Sequence, residues 1–220
     1  MNKLILVRHG QSIYNLENKF TGWKDVDLTD KGRNEALYAV ELLKNINIQI
    51  AYTSNLIRAQ ETLNIILNGL KLDILINKDE RLNERDYGDL IGQNKKEAAL
   101  KFGDDQVQIW RRSYNVPPPG GESLEMTYNR CIPYFKEHIL NNLKNNNIII
   151  SAHGNSIRAI VKYILNLSSD LILKTEIGWC EPWIFTFDLN EIISLDILYN
   201  KRFKSNSHLP VEFKTTTVQM

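Results

Sequence analysis

An α/β fold, with a mostly parallel, doubly wound sheet in three layers flanked by helices, is what this 220-residue sequence predicts. Three observations point there. Residues 3–8 carry the continuous apolar run LILV rather than an alternating one, which is the pattern of a strand covered on both faces. Further strand-like runs, IAYT at 50–53 and IIIS at 148–151, are separated by stretches with apolar residues at helical spacing. Two of these runs end in His-Gly, at His9-Gly10 and His153-Gly154. The carboxyl ends of strands are where doubly wound sheets bind their ligands.

In chain order, residues 10–28 read as a loop. From Thr29 to Lys44, Ala36, Leu37, Val40 and Leu43 recur at helical spacing behind a threonine cap. INIQIAYTS, 46–54, reads as a second strand. Ser54 then looks like the N-cap of a helix that carries Leu56, Ile57, Leu63, Ile66 and Leu67 and stops at Gly69. A third strand is expected near 73–76. Residues 94–112 are helical in pattern until VPPPGGES, 116–123, interrupts with prolines and glycines that cannot continue a helix. A long helix from Glu122 to about Leu143 is expected to kink at Pro133. Asn145–Asn147 form a turn before the strand NIIISA and a helix after Gly154. Residues 183–198 give two short strands. One domain, 1–199, is therefore expected, followed by a polar stretch, 200–220, without a core pattern, which reads as a flexible tail or an active-site lid.

Composition excludes several function classes. With 43% hydrophobic and 24% charged residues the chain has the makings of a sizeable core. Lys and Arg number 27 against 26 Asp and Glu, a balance that argues against a nucleic-acid surface or a basic membrane face. The opening MNKLILVRHG has too short an apolar stretch for a signal peptide, and no run of about 18 apolar residues follows, so a cytoplasmic protein is expected. Cys131 and Cys180 make no metal-ligand spacing and read as buried thiols. No HExxH motif, paired carboxylates at metal spacing or cysteine cluster occurs, so no catalytic metal is expected.

The chemistry concentrates at the two strand ends. A glycine after each histidine lets a ligand approach closely, and the helix opening near Asn155 supplies amide N–H groups and the positive end of a dipole for an anion. Arg8 stands beside His9, Arg58 lies in the first turn of the helix after AYTS, and Arg111 with Arg112 precedes the PPPGG loop. Guanidinium groups hold phosphate through paired hydrogen bonds. The same positive field opposes imidazolium formation, so at least one histidine should stay neutral and nucleophilic near neutral pH. An attacking histidine also needs a proton donor for the leaving alkoxide. Glu84 in RLNERDYG is the best candidate. Asp25, Asp27 and Asp30 compete, although their spacing suits a turn and a helix start. His138 and His208 read as structural or solvated.

LVRHGQS, FTGWKDVDLTDKG, AYTSNLIRAQET, RLNERDYG, WRR and AHGNSIRAIVKY, in this order over residues 1 to about 170, together resemble the cofactor-dependent phosphoglycerate mutases of the histidine phosphatase superfamily. RHG alone would indicate only the superfamily. FTGW, NERDYG and GDDQVQIWRR belong to the mutase branch. The resemblance implies a phosphoglycerate mutase-like fold in which His9 becomes the phosphohistidine. It makes Glu84 the general acid and base, and Arg8, Arg58 and His153 the groups that stabilise the transferring phosphoryl. Ligand contacts are implied for Ser12, Asn15, Thr21, Gly22, Tyr87, Lys95, Arg111, Arg112, Gly154 and Asn155. The implied reaction interconverts 3-phosphoglycerate and 2-phosphoglycerate in glycolysis and gluconeogenesis. Its priming cofactor is 2,3-bisphosphoglycerate, its partners are small phosphoglycerates, and a homodimer is an assembly it allows.

The sequence departs from that pattern in two places. The stretch between WRR and GGES is short, as in a compact subgroup. Where the family usually reads close to IPTGVP, this chain has IGWCEP, 177–182, and a bulky ring with a carboxylate, Trp179 and Glu181, is expected to narrow the anion pocket or repel the substrate's second negative group. Two other functions stay open. A histidine phosphatase would use His9 and Glu84 identically but deliver the phosphoryl to water, without needing Lys95, Arg111 and Arg112 for a second anionic group. A non-catalytic binding module on the same scaffold should have lost nucleophile, acid or clamp, and all are present. Lys201, Arg202, Lys204 and Lys214 give the tail the charge to close over an anionic ligand.

Overall fold

The computed structural model describes residues 1–218. Strand β1 (Asn2–Arg8) pairs in parallel with β4 (Ile148–Ala152), which continues in parallel to β2 (Ile50–Thr53) and then β3 (Leu75–Lys78). On the other side of β1, β5 (Trp183–Asp188), β6 (Glu191–Ile197) and β7 (Thr216–Thr217) add antiparallel, giving the order β3-β2-β4-β1-β5-β6-β7. The mostly parallel, helix-flanked sheet expected from the sequence is the one found.

The pleat of β1 shows why its apolar run does not alternate. Leu4 and Leu6 face one core with Phe135, Ile139, Ile157 and Ile160, while Ile5 and Val7 face another with Ala36, Ala39, Leu63 and Ile66. All four strand side chains are fully buried. Each contributes roughly 1.5–3 kcal/mol by leaving water. The register matters most for function. Arg8 pairs with Ala152 and the His9 N–H donates to the Ala152 carbonyl at 3.0 Å, so His9 and His153 leave the sheet side by side.

The helices follow their caps. Helix α1 (Ile13–Leu16) is a single turn capped by Ser12. Helix α2 (Asp30–Leu43) begins behind Thr29, whose hydroxyl accepts the Gly32 N–H. Its buried face is Gly32, Ala36, Ala39 and Leu43, and Leu37, expected inside, is exposed because small residues let α2 sit close to α3 (Ile57–Gly69). Ile57 is likewise exposed. Ser54 does not cap α3: the N-cap is Leu56, and the Ser54 hydroxyl is turned to His153 instead. The third strand runs two residues later than expected.

The helical stretch before the PPPGG loop divides at Gly103, φ +89°, into α4 (Lys95–Phe102) and α5 (Asp104–Arg112). Pro133, where a kink is expected, lies inside the helix that follows, and the helix type changes just beyond it. α6 (Leu124–Tyr134) gives way to a π-helical segment, Phe135–Leu140, before α7 (Asn141–Leu143), because proline has no N–H to keep the i→i−4 ladder in register. Helix α8 (Gly154–Ile164) leaves β4, and α9 (Ser169–Lys174) follows.

The C-terminal segment differs from the patternless tail of the sequence reading. Leu209, Val211 and Phe213 pack against the main core, and Val218 is buried. Its hydrophobic positions are too sparse to show a period, and a two-residue strand fixes them by pairing with β6. Gln219 and Met220, also part of that reading, lie outside the described residues. Among the described residues no helix is long and apolar enough to cross a membrane.

Candidate active site

Two buried histidines form the centre. His9 and His153 are 2% and 0% exposed, with ring centroids 5.0 Å apart. His9 Nδ1 lies 2.7 Å from the Gly10 carbonyl, an acceptor only, so Nδ1 carries the ring proton and Nε2 keeps its lone pair. Burial, and then Arg58 and Arg8, hold His9 well below the usual histidine pKa, and burial, Arg58 and His9 do the same to His153. Both rings are neutral at pH 7.

Two arginines, Arg58 buried and Arg8 partly so, stand beside them. Arg58 is anchored by the carbonyls of Lys24 and Gly22, and Arg8 by that of Ile177. The remaining Nε donors of both guanidiniums, and Nδ1 of His153, are buried without a partner. Such donors are costly unless a ligand satisfies them. Burial lowers the Arg58 guanidinium to about 10 and lowers Arg8 as well, and both stay charged at pH 7.

Glu84 meets them from the loop after β3. Its Oε1 accepts the Arg85 N–H at 2.8 Å and the Asn155 N–H at 3.0 Å. Burial pushes the carboxyl up, but the Arg85 amide, Arg8 and Arg58 outweigh it, and the net shift is downward. The acid is therefore ionised in this state. Its backbone is held as firmly: the Glu84 carbonyl accepts from Trp23 Nε1 at 2.6 Å and from Arg130 Nη2 at 2.8 Å, and Arg130 is ion-paired to Glu122 of the GGES stretch.

A cavity of about 210 Å³ adjoins this centre, lined by Arg8, Asn15, Thr21, Gly22, Glu84, Tyr87, Lys95, Arg111, Arg112, Gly154 and Asn155, while His9, Ser12, Arg58 and His153 are buried and do not line it. Asn15 Oδ1 is taken by Ser12, which leaves its amide NH₂ for the cavity. Ser12 itself is fully buried and committed to capping α1, so the contact expected of it is not made through an exposed hydroxyl. The two glycines also differ in purpose. A Cβ on Gly10 would lie 2.3 Å from the Gly32 carbonyl, so Gly10 admits helix α2 rather than a ligand. At Gly154 the nearest groups are the guanidiniums of Arg8 and Arg158, at 3.6–3.7 Å. The Asn155 amide, read as an anion donor, is spent on Glu84.

Arg158 and Glu176 line the cavity and escaped the sequence reading. Glu176 bridges Arg112 at 2.7 Å and Arg158 at 2.6 Å. Arg158 was legible, one turn beyond Gly154 on the same helix face. Glu176 was not, because nothing local marks it. The IGWCEP departure is also resolved against expectation. Glu181 turns away, accepting from Ser205 Oγ and the Asn206 and Ser207 amides, and Trp179 stacks behind Arg8 at 5.4 Å. Trp179, Cys180 and Glu181 line a different cavity, with Lys31 and Tyr38, and do not narrow the anion pocket. Cys131 and Cys180 are buried thiols, and burial pushes Cys131 up to about 12. Among the described residues no group of three or more His, Cys, Asp or Glu side chains is placed to hold a metal ion.

Residues 4–196 match the model of the histidine phosphatase superfamily, branch 1. A 2,3-bisphosphoglycerate-dependent phosphoglycerate mutase of Parvibaculum lavamentivorans is 50% identical over 191 residues, covering 85% of this chain and 91% of that protein. One from Gloeobacter violaceus is 49% identical over 187 residues, covering 84% and 85%. Among solved structures, a mycobacterial glucosyl-3-phosphoglycerate phosphatase complexed with VO3 superposes with a TM-score of 0.76 at 24% identity, covering 84% of this chain and 91% of its own. The alpha-ribazole phosphatase of Shigella flexneri gives 0.77 at 19%, covering 96% and 100%. At those identities the structures attest the fold alone.

Proposed function

The chain belongs to the histidine phosphatase superfamily, branch 1, and from that membership we propose that it interconverts 3-phosphoglycerate and 2-phosphoglycerate. Relatives at about half identity over most of the chain carry this activity in their names. The observation that carries the reading is a pair of cationic sets, one buried around His9 and one on the adjoining cavity, with Arg8 common to both. The buried, unpartnered donors of Arg8, Arg58 and His153 surround His9, and Lys95, Arg111 and Arg112 stand at the rim. A three-carbon bisphosphate has two anionic groups, and the two sets fit them. When bound, 2,3-bisphosphoglycerate supplies the phosphoryl group that loads His9.

The residues divide the work. The Nε2 lone pair of neutral His9 forms the bond to phosphorus as the phosphorus–oxygen bond of the donor breaks. Arg8, Arg58 and His153 Nδ1 meet the charge on the equatorial oxygens, from positions fixed before the reaction. Glu84, ionised at first, takes the proton of the substrate hydroxyl as that oxygen attacks phosphorus and the His9 bond breaks. It returns the proton to the leaving oxygen when the other phosphoryl moves to His9. Its lowered pKa suits the first half, and the phosphoryl dianion, by offsetting the arginines, raises it for the second.

The reading places the enzyme in the cytoplasm, on small phosphoglycerates, with a homodimer as its proposed assembly. The C-terminal segment is proposed to limit water at the site, a role supported by the backbone pairing of His208 with Glu176 at the cavity wall.

The test follows 3-phosphoglycerate conversion with and without catalytic 2,3-bisphosphoglycerate, measuring free phosphate in the same tube. Stimulated conversion with little phosphate release supports the mutase. Phosphate release without conversion makes the protein a phosphatase. His9→Ala should abolish the acid-labile phosphoenzyme, and an unchanged covalent signal removes His9 from the role.

A further inference from the structure

We infer that Ser54 is a positioning residue that fixes which nitrogen of His153 carries the proton, keeping Nδ1–H as the donor to the transferring phosphoryl group. The inference rests on the proposed phosphoryl transfer for its purpose, but its geometry stands apart from any substrate.

Hydrogen-bond accounting selects the tautomer. The hydroxyl of Ser54, fully buried, is 2.7 Å from His153 Nε2, and its other partner is the Leu56 N–H, which it accepts at 3.2 Å. If Nε2 carried the proton, it would donate to Ser54, whose own hydroxyl proton would then face no acceptor. A buried hydroxyl in that state is destabilised. If Ser54 instead donates to Nε2, its hydroxyl both accepts and donates, and the single proton of the neutral ring sits on Nδ1. That nitrogen is buried and without a protein partner.

The two histidines thus hold the same tautomer and offer opposite nitrogens. Gly10 takes the Nδ1 proton of His9 and frees a lone pair. Ser54 occupies Nε2 of His153 and frees an N–H. With the other tautomer, His153 would present a lone pair toward the phosphoryl group transferred at His9, whose ring centroid is 5.0 Å from its own. That contact repels where a donor would attract. Ser54, in sequence a candidate helix cap, has this different task in the fold.

Long-range 15N–1H correlation spectra of histidine-labelled protein near pH 7 distinguish the tautomers directly, without substrate. Wild type should show Nδ1–H at His153. Ser54→Ala should lose that preference and transfer phosphoryl more slowly, about 10–100-fold, short of the 10²–10³ that removal of a whole oxyanion donor costs, with KM little changed. Ser54→Thr, which restores the hydroxyl, should recover both signals. An Nε2–H ring in wild type, or an unchanged Nδ1–H ring in a folded Ser54→Ala, overturns the inference. Because the spectrum is read on the resting protein, a wild type that shows no mutase activity overturns the proposed function alone.

Discussion

Glu84 and Asn155 are joined across the site: the first-turn amide of α8 donates to Glu84 Oε1 at 3.0 Å, coupling the loop after β3 to the strand end that presents His153. Glu84→Gln keeps an acceptor for that amide and for Arg85, so the fold should hold. It removes the exchangeable proton, and kcat should fall roughly 10²–10⁴-fold. Stopped-flow transfer from phosphorylated enzyme checks it, and a loss below tenfold would assign the proton to another group.

Lys95 lines the cavity, partly buried, and carries no ion pair to a carboxylate among the described residues. It is available for the ligand's outer anionic group. Lys95→Ala should weaken retention of the bisphosphate by about tenfold or more, ~1.4 kcal/mol, and spare hydrolysis of a one-phosphate ester such as p-nitrophenyl phosphate. Equal losses on both would remove its mutase-specific role.

Acid sensitivity follows from the two neutral histidines. In the unfolded chain each takes up a proton as pH falls through 6.5, while in the folded chain burial and the arginines hold both well below that value. The unfolded state therefore binds more protons just below 6.5, and stability falls as pH falls. The slope is about 1.4 kcal/mol per pH unit for each histidine until its folded pKa is reached. Glu84 has the ordinary carboxylate sense: its contribution is complete above 4.5 and lost as pH drops through its lowered value. Urea titrations should be flat from pH 7 to 8 and decline below 6.5. A flat profile down to pH 5.5 would show that the rings protonate freely in the folded protein.

Gly10 tests packing rather than chemistry. With the Gly32 carbonyl only 2.3 Å from a would-be Cβ, Gly10→Ala must push α2 from the RHG turn. A loss of about 1–3 kcal/mol is expected, with the mutase rate falling alongside because His9 moves too. Gly154→Ala, whose Cβ would meet only guanidinium atoms at 3.6–3.7 Å, should keep its stability and lose ligand affinity.

Much of this molecule is written in short stretches of chain. The buried run of β1, the threonine cap of α2 and the disturbance at Pro133 all follow from local periodicity and backbone chemistry, which act over a few residues. The two His-Gly strand ends, and the cations placed near them, were legible for the same reason. What lay beyond was settled by contacts distant in sequence. The pairing of Arg8 with Ala152 brings the histidines together across 144 residues of chain. Glu176 reaches Arg112 64 residues away, and Ser54 reaches His153, 99 residues on. Trp179 and Glu181 look like intruders in the pocket until the backbone bond from Cys180 N–H to the Arg8 carbonyl turns them outward. Side-chain direction at such points depends on which partner satisfies a buried donor or carboxylate, and only the assembled sheet decides that.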